Sequence, residues 1–298
     1  MAIVTLVLPD FLLIALGWAL LHLLHYRADF FNTAERLVYY VLFPALLFGS
    51  IIRAPLDLGD ASTLMAATAL LMVSGVAMAW LAVPVLRPQP IVQASLAQCA
   101  YRFNTYMGLS LSASLAGTAG QSVMAIIVGC AVPIANVAAV SGLAGRQNNR
   151  VWVELLRNPL ILATVAGLAC NLMGLQLPEF VMNTLQRLGA GALALGLMCV
   201  GATLSVQGLG SAAKVMGWMI VVRLLAMPIA ALIIAALLPL SAVEQQMLLL
   251  FSTLPSASAA YILAVRMGGD GRSVAATTTL TTIFSALSIP LWLQFNPF

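Results

Sequence analysis

The stretch "RFNTYMGLSLSASLAG" (102–117) puts an arginine, an asparagine, a threonine and a tyrosine into a run otherwise apolar enough to cross a bilayer. A second stretch, "TLPSASAAYILAVRMG" (253–268), begins 151 residues later and interrupts its own apolar run with Pro255, Ser256 and Ser258. A lipid-facing helix has no use for such residues, because backbone or side-chain polar groups in hydrocarbon are costly unless protein or trapped water satisfies them. What the two interruptions do decides the fold.

The rest of the chain fixes the solvent. Of 298 residues, 62% are hydrophobic and 7% charged, against about 25% charged in soluble domains. No water-soluble surface of ordinary size can be made from that composition, so the chain reads as a polytopic membrane protein. The net charge of +4 comes with no basic cluster of the kind that binds nucleic acid. Cys99, Cys130, Cys170 and Cys199 all lie in apolar segments. Their wide spacing fits packing rather than a disulfide framework or a metal site. No Lys or Arg precedes the first apolar run, which is read as a spanning helix and not a signal peptide.

A helix needs about 20 apolar residues to span the hydrocarbon. Cutting at polar and Pro/Gly punctuation gives ten candidates: 3–24, 34–53, 61–86, 92–116, 118–143, 158–177, 181–206, 211–238, 241–266 and 272–295. With the N-terminus outside, the inner loops hold nine basic residues and the outer loops only Arg53 and Arg187. The positive-inside rule therefore predicts both termini outside, with the 144–157 connection in the cytoplasm. That connection separates residues 1–143 from 158–298, five spans each. Because five is odd, the second half enters from the opposite side. The 151-residue offset pairs Arg36 with Arg187, Asn104 with Pro255 and Gly117 with Gly268. An inverted repeat is the expected architecture, with interrupted fourth and ninth spans at corresponding positions, the best sequence pointer to a transporter's binding site.

Pro255 has no amide proton and clashes with the preceding turn, so the ninth span is expected to break there. A half-helix that restarts in the membrane presents free amides and the positive end of its dipole, which attract anions. Arg102 and Arg223 add positive potential, and Asp10 is the one acidic residue clearly within a span. Asn104, Thr105, Ser110, Pro255, Ser256 and Ser258 are the candidate substrate-binding residues. Arg102, Arg223 and Asp10 are the electrostatic ones. Two readings stay open for Arg223, a counter-charge for substrate or a partner for backbone carbonyls. Asp10 could titrate or simply face an outer cavity. His22 and His25 read as interfacial, and "GGDG" (268–271) as a turn ending the ninth span. No G-x-S-x-G, H-E-x-x-H or paired acids in one span are present, so no enzyme is expected.

"LVYYVLFPALLFGSI" (37–51), "RFNTYMGLSL" (102–111), "RNPLI" (157–161) and "LPSASAAYILAVRMGGDG" (254–271) resemble the auxin efflux carrier family. The resemblance is closest to its bacterial malate and malonate permeases, and the family sits in one superfamily with the bile acid:sodium symporters. It implies ten helices in two inverted repeats, with broken fourth and ninth helices that cross. It also implies a scaffold of spans 1, 2, 6 and 7, against which spans 3–5 and 8–10 move as an elevator. In that family Asn104 would match a substrate-binding asparagine and Pro255 the crossover position of the ninth helix. Ser110 stands where the fourth helix of the plant carriers has its crossover proline. The sodium ligands of the bile acid transporters are not recognisable here.

The expected protein is thus an elevator-type secondary carrier of a small organic anion, a carboxylate such as malonate or malate, in the bacterial inner membrane. The rivals are a cation/proton antiporter, a sodium-coupled organic anion symporter and a membrane receptor or scaffold. An antiporter would need titratable carboxylates near the crossover, and 118–143 contains none; a receptor would need a soluble output domain, and no loop reaches 30 residues. The expected partners are the organic anion and membrane lipid, with proton or sodium coupling and a homodimeric state left open. No nucleic acid, cofactor or metal is expected.

Overall fold

A computed structural model describes residues 2–53, 58–144, 158–205 and 212–294, and all regular structure among them is helical. The helices are α1 (Ala2–His22), α2 (Ala28–Leu37), α3 (Phe43–Ile52), α4 (Leu58–Trp80), α5 (Ala82–Leu86), α6 (Pro90–Tyr101) and α7 (Thr105–Ala144). After the connection follow α8 (Pro159–Leu172), α9 (Glu179–Thr203), α10 (Ala213–Val221), α11 (Met227–Leu237), α12 (Ala242–Thr253), α13 (Ala259–Arg266) and α14 (Gly271–Gln294). The 144–157 connection, apart from the end of α7, lies outside the described residues, as do the extreme termini.

Among the described residues, seven helical stretches are long and apolar enough to cross a membrane, and leucines on them such as Leu12, Leu70 and Leu287 stand more than half exposed. This is a polytopic membrane protein. The longest stretch runs from Pro90 to Leu143, 54 residues, which as one rod would measure about 80 Å at 1.5 Å per residue. It is not one rod. The helix stops at Tyr101, resumes at Thr105, and bends again at Ala116–Gly117, where Gly117 takes φ +59°. Only glycine enters that left-handed region without strain.

Prolines shape two further helices. Between α2 and α3 the turn Val38–Leu42 is π-helical, and so is Val222–Ala226 between α10 and α11. Each wide turn ends one residue short of a proline, Pro44 or Pro228. A proline ring collides with the carbonyl four residues back and offers it no proton. Widening the turn relieves the collision. The carbonyl so freed by Pro228 is that of Leu224, and the Trp292 indole Nε1 donates to it at 2.9 Å.

Packing sorts the helices into two groups. In the first, α1 lies on α9, α3 on α8 and α9, and α2 on α9. The α1–α9 contact is backbone against backbone: a Cβ at Gly17 would sit 1.9 Å from Met198 O, and one at Gly201 would sit 1.9 Å from Ile14 O. Small residues permit such approach, and in lipid this close packing replaces the hydrophobic drive. Asn171 of α8 donates from Nδ2 to the Ile51 and Ile52 carbonyls, each at 3.0 Å, closing the C-terminal end of α3. In the second group α4, α6, α7 and α10–α14 pack on one another around the two interrupted helices.

Candidate functional site

The first interruption contains no proline. From Gln93 to Tyr101 every residue of α6 is buried, so the helix ends deep inside protein. Arg102 leaves it in extended conformation (φ −74°, ψ 147°), and α7 restarts at Thr105. Asn104 makes the restart possible. Its Oδ1 accepts from the Met107 amide at 3.2 Å, the N-cap bond that Asn is chosen for, and its own amide donates to Pro255 O at 2.9 Å.

The second interruption is driven by Pro255. The preceding Leu254 is pushed to φ −61°, ψ 145°, as a residue before proline must be, and α12 ends at Thr253. The break orphans carbonyls at the end of α12. Arg223, fully buried on the π-helical turn, takes up two of them: Nη2 donates to Phe251 O at 2.8 Å and Nε to Leu254 O. Beyond the proline, Ser256 N donates to Thr281 Oγ1 of α14 at 3.3 Å. Phe103 and Phe251 meet edge to face at 4.4 Å, and a Cβ on Gly108 would fall 2.8 Å from the Leu254 side chain. The two breaks therefore cross in contact.

The polar groups left over around the crossing are mostly donors. Arg102 Nε, Asn104 Nδ2, Arg223 Nη1, Ser256 Oγ and Thr278 Oγ1 are buried and have no hydrogen-bond partner. Only the Cys99 thiol, a weak partner, lies beside Ser256 and Thr278. Arg102 is anchored by Nη2 donating to Asn136 Oδ1 at 2.9 Å. Neither buried guanidinium has a carboxylate partner; the ion pair found among the described residues is the exposed Arg27–Asp29. Two buried cations without a carboxylate partner, beside buried donors left unsatisfied, concentrate positive potential at the crossing.

The structure thus gathers Arg102, Asn104, Thr105, Pro255, Ser256 and Ser258 at the crossing. Arg223 joins them as a brace on the broken backbone, with one nitrogen, Nη1, to spare. Ser110 and Asp10 stand apart. The break precedes Ser110 by more than a turn, and Ser110 Oγ instead donates to Asp10 Oδ1 at 2.7 Å. Asn136, Thr278 and Thr281 were not singled out from the sequence. Asn136 is a lone amide in an apolar run, and "TTTLTT" (277–282) is a visible polar cluster in the last helix. Either signal could have found them. The "GGDG" segment forms the turn between α13 and α14, with Gly268 at φ +72° and Asp270 Oδ1 accepting from Ser273 N at 3.1 Å.

Two cavities open between the packing groups. One of about 710 Å³ lies among α1, the end of α9 and α14, lined by Phe11, Trp18, His22, Ser205 and Thr282. The other, about 240 Å³, lies among α3, α7 and α9, lined by Ser50, Arg53, Gln121 and Gln186.

Residues 145–293 match the sequence model of a family described as membrane transport protein. An uncharacterized transporter of Methanothermobacter thermautotrophicus is 27% identical over 294 residues, covering 96% of each chain. Another, from Methanocaldococcus jannaschii, is 26% identical over 152 residues, 49% of this chain and 48% of its own length.

Proposed function

Since the chain belongs to the membrane transport protein family, the auxin efflux carrier family of the sequence reading, we propose that it is a secondary carrier of a small organic anion. The observation that carries this reading is the pair of buried guanidinium groups, Arg102 and Arg223, without carboxylate partners beside the orphaned donors of Asn104 and Ser256. A carboxylate entering there would supply the acceptors those groups lack. Malonate and malate are the substrates of choice.

Ten crossings follow if the interrupted helices each count as one span and α7 as the second half of one and the whole of the next. An inverted repeat is supported by the 151-residue offset. It pairs Asn104 with Pro255, which are hydrogen-bonded, and Gly117 with Gly268, which both have positive φ. The division into two packing groups supports reading one as a scaffold and the other as a moving domain, and the cavities between them suit alternating access. On this reading both termini face the periplasm of a bacterial inner membrane.

The test is uptake by proteoliposomes holding the full chain, with labelled malonate, malate and an indole carboxylate. Saturable uptake of a carboxylate, competed by the unlabelled anion, is expected. Uptake of an inorganic cation with no response to any carboxylate would reject the reading in favour of a cation antiporter.

A further inference from the structure

We propose that the carboxyl group of Asp10 on α1 is the site at which this carrier binds its coupling proton, with Ser110 of α7 as the group that reads its protonation state. The inference rests on the carrier reading above. Its observation is separate from the anion site.

Asp10 is 5% exposed. Its Oδ1 accepts from Ser110 Oγ at 2.7 Å, and its Oδ2 is buried without a partner. No hydrogen bond or ion pair among the described residues offers it a positive charge. Helix α1 packs on α7, α9 and α14. Along α7 there is no charged residue at all, and its titratable groups are Tyr106, one turn before Ser110, and Cys130. On α9 the register of Gly17 against Met198 and Ile14 against Gly201 brings Asp10 level with Leu204 and Ser205. Cys199 then lies more than a turn away, and Glu179 and Arg187 towards the far end. On α14 the one charged residue is Arg272, two turns before Thr279, which bonds Ser205. Arg102 precedes Ser110 by eight residues, across the break and the first turn of α7, and His22 follows Asp10 by twelve on α1 itself.

A buried carboxylate in that setting has one donor for two oxygens and no counter-ion among the described residues, so Oδ2 is open to a proton. The balance is simple: the carboxylate takes one proton from the aqueous phase it faces, becomes the acid, and returns the proton to water when it is next hydrated. No other bond changes. The position of Ser110 supplies the coupling. It belongs to the group of helices that holds the crossing, whereas Asp10 belongs to the group that packs on α9. Displacement of one group against the other separates the pair. Asp10 then loses its donor and its dry surroundings together, so its proton affinity differs between the two positions. A difference of that kind is what links proton movement to substrate movement.

Two measurements on the full chain in liposomes test this. First, an inward gradient of one pH unit corresponds to about 1.4 kcal/mol per proton, so one-proton coupling should accumulate malonate or malate about tenfold. Asp10→Asn, which fixes the neutral form, should equilibrate the anion without accumulating it. Tenfold accumulation by Asp10→Asn would overturn the proposal. Second, infrared difference spectra between acid and alkaline buffer should show a carboxylic acid C=O band in wild type. That band should vanish in Asp10→Asn and shift in frequency in Ser110→Ala. This readout needs no substrate, so it decides the proton site even if neither anion is carried. A band that persists in Asp10→Asn, or one absent from wild type, rejects Asp10 as the site.

Discussion

The backbone amide of Asn104 donates to the carbonyl of Pro255 over 2.9 Å, so each broken helix satisfies part of the other's exposed backbone. Neither break would be tolerable alone in hydrocarbon. The pairing leaves the Asn104 side chain divided: Oδ1 caps α7, and Nδ2 has no partner.

That division separates two roles experimentally. Asn104→Asp keeps the capping oxygen but replaces the free donor with an acceptor and a negative charge. We expect its thermal unfolding temperature to stay near wild type while affinity for a carboxylate falls by about 1–3 kcal/mol, roughly 5- to 150-fold. Unchanged uptake and affinity in a well-folded Asn104→Asp protein would remove Asn104 from the site.

Ser256 and Ser110 should part company in the same assay. Ser256 Oγ is buried at the crossing with only the weak Cys99 thiol beside it, whereas Ser110 Oγ is engaged with Asp10. Ser256→Ala is therefore expected to raise the Kd for the transported anion several-fold more than Ser110→Ala. Equal effects in binding titrations would argue against an anion held at the second break.

Arg223 is expected to matter for stability before anything else. Its removal strands the Leu254 carbonyl and leaves Phe251 O only the long bond from Leu254 N, at about 1–3 kcal/mol for a buried acceptor left unsatisfied. Arg223→Met should unfold at markedly lower temperature in detergent. Arg223→Lys, a point charge that cannot fork between two carbonyls, should recover only part of the loss. A Met variant as stable as wild type would contradict the brace.

The α1–α9 contact offers a control remote from the crossing. Gly201→Ala forces a methyl group against Ile14 O and should separate the helices, lowering stability by roughly 1–3 kcal/mol, the usual range for overpacking. Gly191→Ala, on the same helix with open space around it, should be neutral. Similar unfolding temperatures for the two would mean that the close approach carries little energy.

Orientation is checked with single cysteines in a background lacking the four native ones. Leu175→Cys should react with an impermeant maleimide from outside intact cells, and Gln89→Cys only after lysis. The opposite pattern would reverse the proposed topology.

Much of this was readable in the residues, and the exceptions share one cause. Pro255 announces its break by its own chemistry, and the bend at Gly117 fell at the boundary assigned between the fourth and fifth spans. The break at 102–104 has no local signature of comparable strength. It exists because Asn104 finds Pro255 and Arg102 finds Asn136, partners 151 and 34 residues away. At Ser110, where the plant carriers have their crossover proline, the chain is helical, and the break lies at 102–104 instead. Arg223 left two readings open because a guanidinium in a span fits either; the facing carbonyls of α12 supply the brace, and Nη1 is left over. The π-helical turns needed no distant partner. Pro44 and Pro228 were in plain view, though the sequence does not say that Trp292 would cover the carbonyl Pro228 frees.

The bond from Asn104 to Pro255 also sets an order of events at the ribosome. When Asn104 is synthesised its acceptor does not exist, and 151 residues remain to be added before it does. At about 5–20 residues per second, that interval is on the order of 8–30 s. During it the fourth span must wait in the translocon or membrane with its interruption unmatched, either as a continuous helix that later unwinds or under the care of an insertase. The N-terminal half is therefore not an independent folding unit. A chain truncated after residue 143 should be degraded rather than inserted stably, and co-expression of residues 144–298 as a separate polypeptide should rescue it.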